Sequence, residues 1–423
     1  MGNVAVIVAY SCATVRVLLS EGSGLTSRQV VTRLGQLGHE VELLSSTWLC
    51  LSRFTRHVRR IHRVPPFGTA PFSWFEAARA IARHREIDVF LPTQEQVAVL
   101  SAMGSGALGS ATVVPEFEAL CRLQDKVSAY LTLKELGIPQ PASFVVKDIE
   151  DLGRVTAFPA FVKQPISTAS MGVRKVSCEA QLSSAARALG LGAHRVLIQV
   201  AAVGELAMVQ ALADEGRLIA HHACLRIKEG IGGGASIKES VTVRDIRAYL
   251  EQIVGSLRWH GPLSMDVICT ARGPVVIDVN PRLVEPMNAY LGGVDLVGAL
   301  LDLASGRHPE AQAPSKPGTR TCQLLLAVLG AAEREQARFA VARELWRALA
   351  HRDEYASATE ELTPIAGDPL TAIPVLAAAT ATLLWPSLCR VFHSGAVANY
   401  SLTPRAWEEI LSTAHRERTQ AAG

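Results

Sequence analysis

Hydrophobic and polar residues alternate with two different periods over the first 115 residues or so, which indicates strands and helices in turn. Apolar runs at 3–10, 41–46 and 87–93 predict strands, and amphipathic patterns at 26–40 and 73–86 predict helices. Thr26 or Ser27 is the expected N-cap of the first helix, and Gly38 its end. Strand–helix–strand units at this spacing favour a parallel sheet with helices on both faces.

The pattern changes twice further along the chain. From about 119 a predicted helix in "LQDKVSAYLTLKELGIPQP" leads into a strand-rich stretch that ends with strands at 262–270 and 274–280, typical of a mixed α+β domain. Beyond about 310 the pattern is mainly helical. We therefore predict three parts: an N-terminal α/β domain, a central α+β domain and a C-terminal mainly helical region, at 1–118, 119–310 and 311–423.

The uncharged segment "LTAIPVLAAATATLLWPSL" belongs to the C-terminal part. Its length would suit a membrane span or a membrane-docking helix, but it contains two prolines and many alanines and threonines. A buried helix is the main interpretation, and membrane association is the alternative.

Composition excludes several classes of protein. Hydrophobic residues make up 49% of the 423 residues, which is a globular composition, and a net charge of only +3 is too weak to indicate nucleic-acid binding. The densest basic cluster, from Arg56 to Arg63, is interpreted as a solvated face. Eight scattered cysteines without zinc spacing, and no basic stretch before the first strand, predict a cytoplasmic protein with reduced thiols.

The candidate chemistry lies in "VVIDVNPRL", where Asp278, Asn280 and Arg282 recur at every second position as a strand ends. A tight turn centred on Arg272 would place Asp266 of the preceding strand opposite Asp278, with Cβ atoms about 4.5–5.5 Å apart. Two carboxylates that close need a shared proton or a cation, and with Asn280 they form hard ligands suited to Mg²⁺. Acids that are solvated or salt-bridged on an exposed face are the alternative.

These residues resemble the end of the ATP-grasp superfamily's metal motif, an acid followed about twelve residues later by Glu-x-Asn-x-Arg, with Asp in both acidic positions here. The resemblance covers roughly residues 1–310 and implies a pre-ATP-grasp domain followed by an ATP-grasp fold of two subdomains. It implies that Asp266, Asp278 and Asn280 bind metal and that Arg282 is catalytic.

The same resemblance extends to other motifs in the family's order. It implies two phosphate-binding lysines, a mobile loop over the phosphates and a hinge that holds adenine and ribose. The implied nucleotide-binding residues are Lys126, Lys163, Ser167, Thr168, Ser170, Gly172, Gln199, Ala201 and Glu205. Near the reacting groups it implies a catalytic role for Lys238 and substrate contacts by Arg226 and Glu285, although a solvated loop and a structural ion pair are equally good accounts of these three.

The function implied is an ATP- and Mg²⁺-dependent ligase, with Mn²⁺ as an alternative metal, that joins a small carboxylic acid to an amine through an acyl phosphate. Carboxylation, phosphorylation of a small molecule, or nucleotide binding without catalysis are the alternatives. The expected partners are small molecules, with neither nucleic acid nor membrane. A homodimer is also considered, because many members of the family are dimers.

Overall fold

The structure of the protein is a computed structural model that describes residues 14–422, with side chains described up to residue 416. The strand predicted at 3–10 lies outside the described residues. A four-stranded sheet forms the N-terminal part in the order β3-β2-β1-β4, and all its strands are parallel, which confirms the predicted architecture. The elements of this part are β1 (Arg16–Leu19), α1 (Leu25–Gln36), β2 (Glu40–Ser45), β3 (Val58–Arg63), α2 (Pro71–His84), β4 (Val89–Leu91) and α3 (Val97–Met103).

Two details of this part differ from expectation. Helix α1 begins at Leu25 with Gly24 as its N-cap, so neither Thr26 nor Ser27 caps it. The carboxylate of Glu21 accepts hydrogen bonds from the backbone N–H groups of Ser23 and Gly24 and from the Ser27 hydroxyl. It therefore acts as the capping group at the start of α1. The basic cluster proves to contain edge strand β3, whose polar, partly exposed pattern conceals it from a hydrophobicity analysis.

The central part opens with two helices and a small antiparallel sheet in the order β5-β8-β6-β7. The predicted start of the helix at Leu123 is wrong, because one helix ends at Gln124 and the next begins at Lys126, with Asp125 between them. The Asp125 carboxylate caps this helix by accepting the N–H groups of Val127 and Ser128 at 2.7 and 3.0 Å. The elements are α4 (Phe117–Gln124), α5 (Lys126–Glu135), β5 (Ser143–Val146), β6 (Ala160–Lys163), β7 (Val173–Val176), α6 (Glu179–Ala188) and β8 (Val196–Val200).

A larger, mainly antiparallel sheet of seven strands follows in the order β13-β12-β9-β10-β11-β14-β15. Its inner strands are almost continuously buried, because helices and the N-terminal sheet cover its faces. The elements up to its sixth strand are β9 (Glu205–Asp214), β10 (Arg217–Glu229), β11 (Ala235–Ser240), α7 (Ile246–Ser256), β12 (Gly261–Thr270), β13 (Gly273–Asn280), α8 (Met287–Leu291), α9 (Leu296–Ala304) and β14 (Arg320–Cys322).

The C-terminal part is mainly helical, as predicted, but it also contributes strands β14 and β15 to the large sheet. It reaches back to the N-terminal part, where Asp368 accepts a hydrogen bond from Thr55 at 2.5 Å and the Asn399 amide donates to Ser23 at 3.1 Å. The three predicted parts therefore pack as contiguous structure. The remaining elements are α10 (Leu324–Glu335), α11 (Arg338–Leu349), β15 (Thr359–Glu360), α12 (Ala372–Leu384), α13 (Leu388–Ala398) and α14 (Pro404–Ala422).

The uncharged segment forms helix α12, with Pro374 in its first turn and Pro386 beyond its end. The prediction of a buried helix is correct for one side of α12 and wrong for the other, which is exposed. Only Val375, Ala378, Ala379 and Thr382 are buried, because α12 packs against its neighbours on one side alone. Within residues 14–422, no helix combines the length and apolarity that a membrane crossing requires.

Candidate nucleotide and metal site

The β12–β13 hairpin pairs Asp266 directly with Asp278, as the sequence predicts, but its turn and its strand register differ from the predicted ones. The turn contains Ala271 and Arg272 and is not centred on Arg272, since Thr270 pairs with Gly273. That register alone would leave Asp266 opposite Ile277. A bulge between the Asp266 and Val267 pairs shifts the register by one residue and restores the carboxylate pair.

Two lysines from separate elements converge on this carboxylate pair. Lys126, the first residue of α5, donates from Nζ to both carboxylate oxygens of Asp278, at 2.8 and 2.9 Å. Lys163, the last residue of β6, donates from Nζ to Gln199 Oε1 at 2.8 Å and to the Ile277 carbonyl at 2.6 Å. The small sheet and the large sheet thus meet across a strip of opposite charges.

Burial and charge shift the pKa values of this group in different directions. Burial, with repulsion from Asp278, raises the pKa of Asp266 to about 6. Burial acts in the same sense on Asp278, but Lys126 and Lys163 outweigh it and hold its pKa below the usual range. Burial lowers the pKa of Lys163 to about 8 despite the nearby acids. An anion beside Lys163 and a cation beside Asp266 would each relieve a group that is costly to charge.

The donor set fits a hard divalent cation that is shared with another ligand. Asp266, Asp278 and Asn280 offer two carboxylates and an amide, and Asn280 lies beside the pair on β13. No cluster of three or more His, Cys, Asp or Glu residues suited to a metal occurs in the described part of the chain. Two carboxylates and an amide leave coordination positions of the kind that phosphate oxygens and waters fill at Mg²⁺–nucleotide sites.

A narrow cleft opens between the two sheets above this strip. Apolar residues of α5 and of strand β8 form one wall and the carboxylate strand forms the other, which suits a flat base with a charged tail. The residues that line it are Lys126, Ala129, Tyr130, Leu133, Gln140, Lys163, Leu197, Gln199, Ile277, Asp278 and Val279.

Of the predicted adenine and ribose residues, Gln199 lines this cleft, whereas Ala201 and Glu205 are not among its lining residues. The amide oxygen of Gln199 already accepts a hydrogen bond from the Lys163 ammonium at 2.8 Å. The Ala201 N–H donates to the Pro159 carbonyl at 2.9 Å, and Glu205 is exposed at the start of β9. The adenine and ribose contacts of these residues stay predictions.

The predicted phosphate loop connects β6 to β7 and folds back on itself. The Gln164 N–H donates to the Gly172 carbonyl at 2.8 Å, and the Met171 N–H donates to the Thr168 carbonyl at 3.2 Å. Ser170 has a φ of +60°, and a Cβ at Gly172 would lie 2.4 Å from the Ser167 Cβ, so the loop needs glycine there. The Ser167 hydroxyl is shielded from solvent and makes no hydrogen bond within the described structure.

Arg282 lies beyond the metal residues and is almost fully buried. Its guanidinium Nε donates to Glu95 at 3.1 Å, and Glu95 also accepts from Gln124 at 2.9 Å. Sequence reasoning missed Glu95. The available signal was its place just after β4, since ligands of parallel sheets gather at the carboxyl ends of the strands.

Lys238 and Glu285 are brought together, but they pair with each other inside the molecule. Lys238 Nζ also donates to Glu361 Oε1 at 2.6 Å, and Glu361 was not foreseen. Burial opposes the charge on Lys238, but the two acids outweigh it and raise its pKa. Arg226, paired with Lys238 across β10 and β11, donates to the Gly233 carbonyl at 2.6 Å.

A second, smaller pocket lies at the carboxyl ends of β1, β2 and β3, where the N-terminal sheet faces the C-terminal part. Its polar atoms come mainly from serines, from the buried carboxylate of Glu21 and from Asn399, and it is lined by Ser20, Glu21, Ser23, Ser45, Ser46, Val64, Pro65, Trp74 and Asn399. Arg282 is near enough to Glu21 to oppose the effect of burial, which raises the pKa of that carboxyl. The second pocket therefore lies within electrostatic reach of Arg282.

Two sheets enclose a cleft in which two lysines face a carboxylate pair, an arrangement that fits a phosphorylated ligand and its cation. Residues 123–286 match the family model described as an ATP-grasp domain, so this part of the chain is an ATP-grasp domain. No curated protein matches the chain by sequence.

Solved structures agree with this fold. The biotin carboxylase domain of Hydrogenobacter thermophilus 2-oxoglutarate carboxylase, in complex with MgADP and bicarbonate, has a TM-score of 0.57 at 16% identity, covering 73% of this chain and 74% of that chain. N5-carboxyaminoimidazole synthetase from Staphylococcus aureus, complexed with ADP, has a TM-score of 0.58 at 12% identity, covering 76% of this chain and 86% of that chain. L-amino acid ligase from Bacillus licheniformis has a TM-score of 0.55 at 15% identity, covering 70% of this chain and 75% of that chain.

Proposed function

We propose that the protein is an ATP- and Mg²⁺-dependent ligase that joins a small carboxylic acid to an amine through an acyl phosphate. The observation that carries the proposal is the Asp266–Asp278 pair, placed between Lys126 and Lys163 at the base of the cleft. Two acids and two lysines at one point are costly to bury without ligands, and a metal–nucleotide complex supplies both missing charges.

Each side chain has a role that follows from its position. Lys163, with a lowered pKa and two neutral hydrogen-bond acceptors, is ready to exchange them for phosphate oxygens. Lys126 holds Asp278 and would turn to a phosphate once a cation takes its place on that carboxylate. Bound MgATP supplies an electrophilic γ-phosphoryl group. Arg282, oriented by Glu95, stabilises negative charge that develops next to the metal residues.

We place the amine in the second pocket. The N-terminus of α1 points there, and such a terminus ordinarily favours an anion. Here Glu21 already occupies that position and takes the Ser23 and Gly24 N–H groups. A carboxylate among serine hydroxyls favours a cationic or donor-bearing group, such as a primary ammonium. The acid would then lie between this pocket and the carboxylate pair.

A screen of ADP release over pairs of amino acids and small carboxylic acids tests the proposal. The expected result is ADP release that needs both a carboxylate and an amine, and that yields a hydroxamate when hydroxylamine replaces the amine. Asp278→Asn should abolish release. Asp302→Asn, which removes a surface partner of Arg307, should leave it unchanged.

Other results would contradict the proposal in separate ways. ADP release that depends on bicarbonate would show carboxylation. Release with an alcohol or acid alone and a stable phosphorylated product would show a kinase-like reaction. Tight nucleotide binding without release over the whole panel would show a nucleotide-binding protein without catalysis.

A further inference from the structure

Helices α11 and α12 each present an apolar stripe to solvent. On α11 the outward positions are Phe339, Trp346 and Leu349, spaced by seven and three residues, and the alanine at 342 lies between them. On α12 they are Ile373, Leu376 and Leu384, with the exposed Ala377 and Thr380 between them. Surface helices normally carry polar residues at such positions, so both helices are apolar on the side that does not face the core.

The two helices contact each other, and we call their solvent-facing sides together the α11–α12 face. Both helices pack with α13 around the buried helix α10. Of the twenty exposed large hydrophobic side chains among the described residues, eleven lie between residues 339 and 392: six on α11 and α12, and the others on α13 or on the segments next to these helices. Leu376 is 64% exposed and Leu349 is 76% exposed. Scattered exposed leucines are ordinary, but a concentration of this kind marks a contact surface.

The charged side chains that α11, α12 and α13 themselves present to solvent are arginines, and the exposed acids nearest to α11, Glu335 and Asp353, lie at its two ends. Helix α12 has no charged residue, and α13 has only Arg390. The one acid of α11, Glu344, is buried and bonds to Lys228 and Tyr355.

Arginines border the stripes of α11. Arg343 lies 5.3 Å from the Phe339 ring centroid and Arg352 lies 4.9 Å from that of Trp346. Of the arginines in α11, Arg343 and Arg347 also reach acids at the ends of the helix, and Arg338 donates to the Leu384 carbonyl at 2.9 Å. An apolar centre with aromatic rings and a basic border is complementary to an anionic surface that has an apolar interior.

We propose that the α11–α12 face docks on the surface of an anionic lipid bilayer, with the apolar stripes inserted at the headgroup level and the arginines against lipid phosphates. A second copy of the chain fits less well, because a two-fold axis through the face would bring basic borders together. Helix α12 has 13 residues, about 20 Å at a rise of 1.5 Å per residue, so it lies in the interface and does not cross a core of about 30 Å.

Vesicle flotation of the full chain tests the proposal, with phosphatidylcholine vesicles that contain either no anionic lipid or about 30% phosphatidylglycerol. The wild-type protein should float with the anionic vesicles and at least about tenfold less with the neutral ones. Leu376→Glu and Phe339→Glu change different helices at exposed positions, and each should lower binding to anionic vesicles by about tenfold or more. Leu49→Glu is the matched control, since Leu49 is 78% exposed in the N-terminal part, and it should bind as the wild type does.

Trp385 provides a second readout, because it is 61% exposed at the end of α12 and its fluorescence should shift to shorter wavelength with anionic vesicles. The proposal is overturned if the wild type stays unbound with both vesicles, or if Leu49→Glu weakens binding as much as Leu376→Glu. It is also overturned if light scattering shows a dimer that Leu376→Glu dissociates and vesicles do not, because the face would then be a subunit interface. None of these measurements depends on the reaction at the nucleotide site.

Discussion

Replacing Asp266 by Asn should stabilise the nucleotide-free protein at neutral pH and abolish ADP release. The Asp266 carboxylate lies opposite Asp278 in the hairpin, and both are drawn into the sheet junction. Asparagine has nearly the same shape, removes one of the two negative charges and can donate to the remaining carboxylate. A residue that costs stability in the free protein but is needed for function is typical of a ligand site.

The size of the effect follows from the pKa of Asp266, which is raised from 3.8 to about 6 in the folded protein. Because the folded state binds this proton more tightly, stability is fully present below the unfolded pKa and is lost as the pH rises through about 6. At about 1.36 kcal/mol per pKa unit, the cost reaches up to about 3 kcal/mol at about pH 7.5 and about 1 kcal/mol at about pH 4.5. The asparagine variant never incurs this cost, so its advantage should grow with pH.

Thermal or urea unfolding of the wild type and of Asp266→Asn at these two pH values measures the difference. At about 2–4 °C per kcal/mol, the gain at neutral pH should be several degrees in Tm. Asp302→Asn, which alters a surface ion pair, should show little change at either pH. An Asp266→Asn protein that is no more stable than the wild type at neutral pH, or equally stabilised at both pH values, would refute the reasoning.

Three further predictions concern single contacts. Lys163→Met should weaken ATP binding by tenfold or more in calorimetry, and wild-type affinity should decline above about pH 8 as Lys163 loses its proton. Gly172→Ala should raise the KM for ATP severalfold, because its Cβ would lie 2.4 Å from a neighbouring side chain, whereas Gly153→Ala meets open space and should leave KM unchanged. Glu361→Ala should destabilise the protein by about 3–5 kcal/mol in denaturant titrations, because it leaves the buried ion pair of Lys238 incomplete.

The parts of the fold that the sequence predicts are those set by local pattern. The parallel N-terminal sheet follows from alternating strand and helix periods, and the mixed central part and helical C-terminal part follow in the same way. Strand β3 escapes such analysis, because an edge strand with arginines on its exposed face has no hydrophobic period. Pattern analysis also misses the end of one helix and the start of the next at Asp125. The residues on both sides are good helix formers, and the capping contact of Asp125 is visible only in three dimensions.

The predicted pairing of Asp266 with Asp278 is correct, although the turn from which it was predicted is wrong. Counting from Arg272 gives the Asp266–Asp278 pair, but the turn is one residue shorter and the bulge supplies the difference. The carboxylates face each other because the strand accommodates one extra residue at Ile277. The carbonyl of Ile277 accepts a hydrogen bond from the Lys163 ammonium at 2.6 Å. The irregularity therefore also helps to hold Lys163 in place.

Long-range contacts account for the site residues that sequence reasoning missed. Glu95 and Arg282 are 187 residues apart, and Glu361 meets Lys238 across 123 residues. No spacing rule links such positions, although Glu95 could have been suspected from its place after a parallel strand.

The same limit explains why α12 was predicted as a buried helix. An apolar segment without charge has the same composition whether a protein core, a lipid surface or a second subunit covers it. Only the packing of α12 on one side of α10 shows that a face is left over, and only the arginines of the neighbouring helix α11 indicate what kind of surface should meet it. The paired charges of the cleft between the sheets and the exposed apolar side chains of the C-terminal helices thus lie in separate parts of the chain.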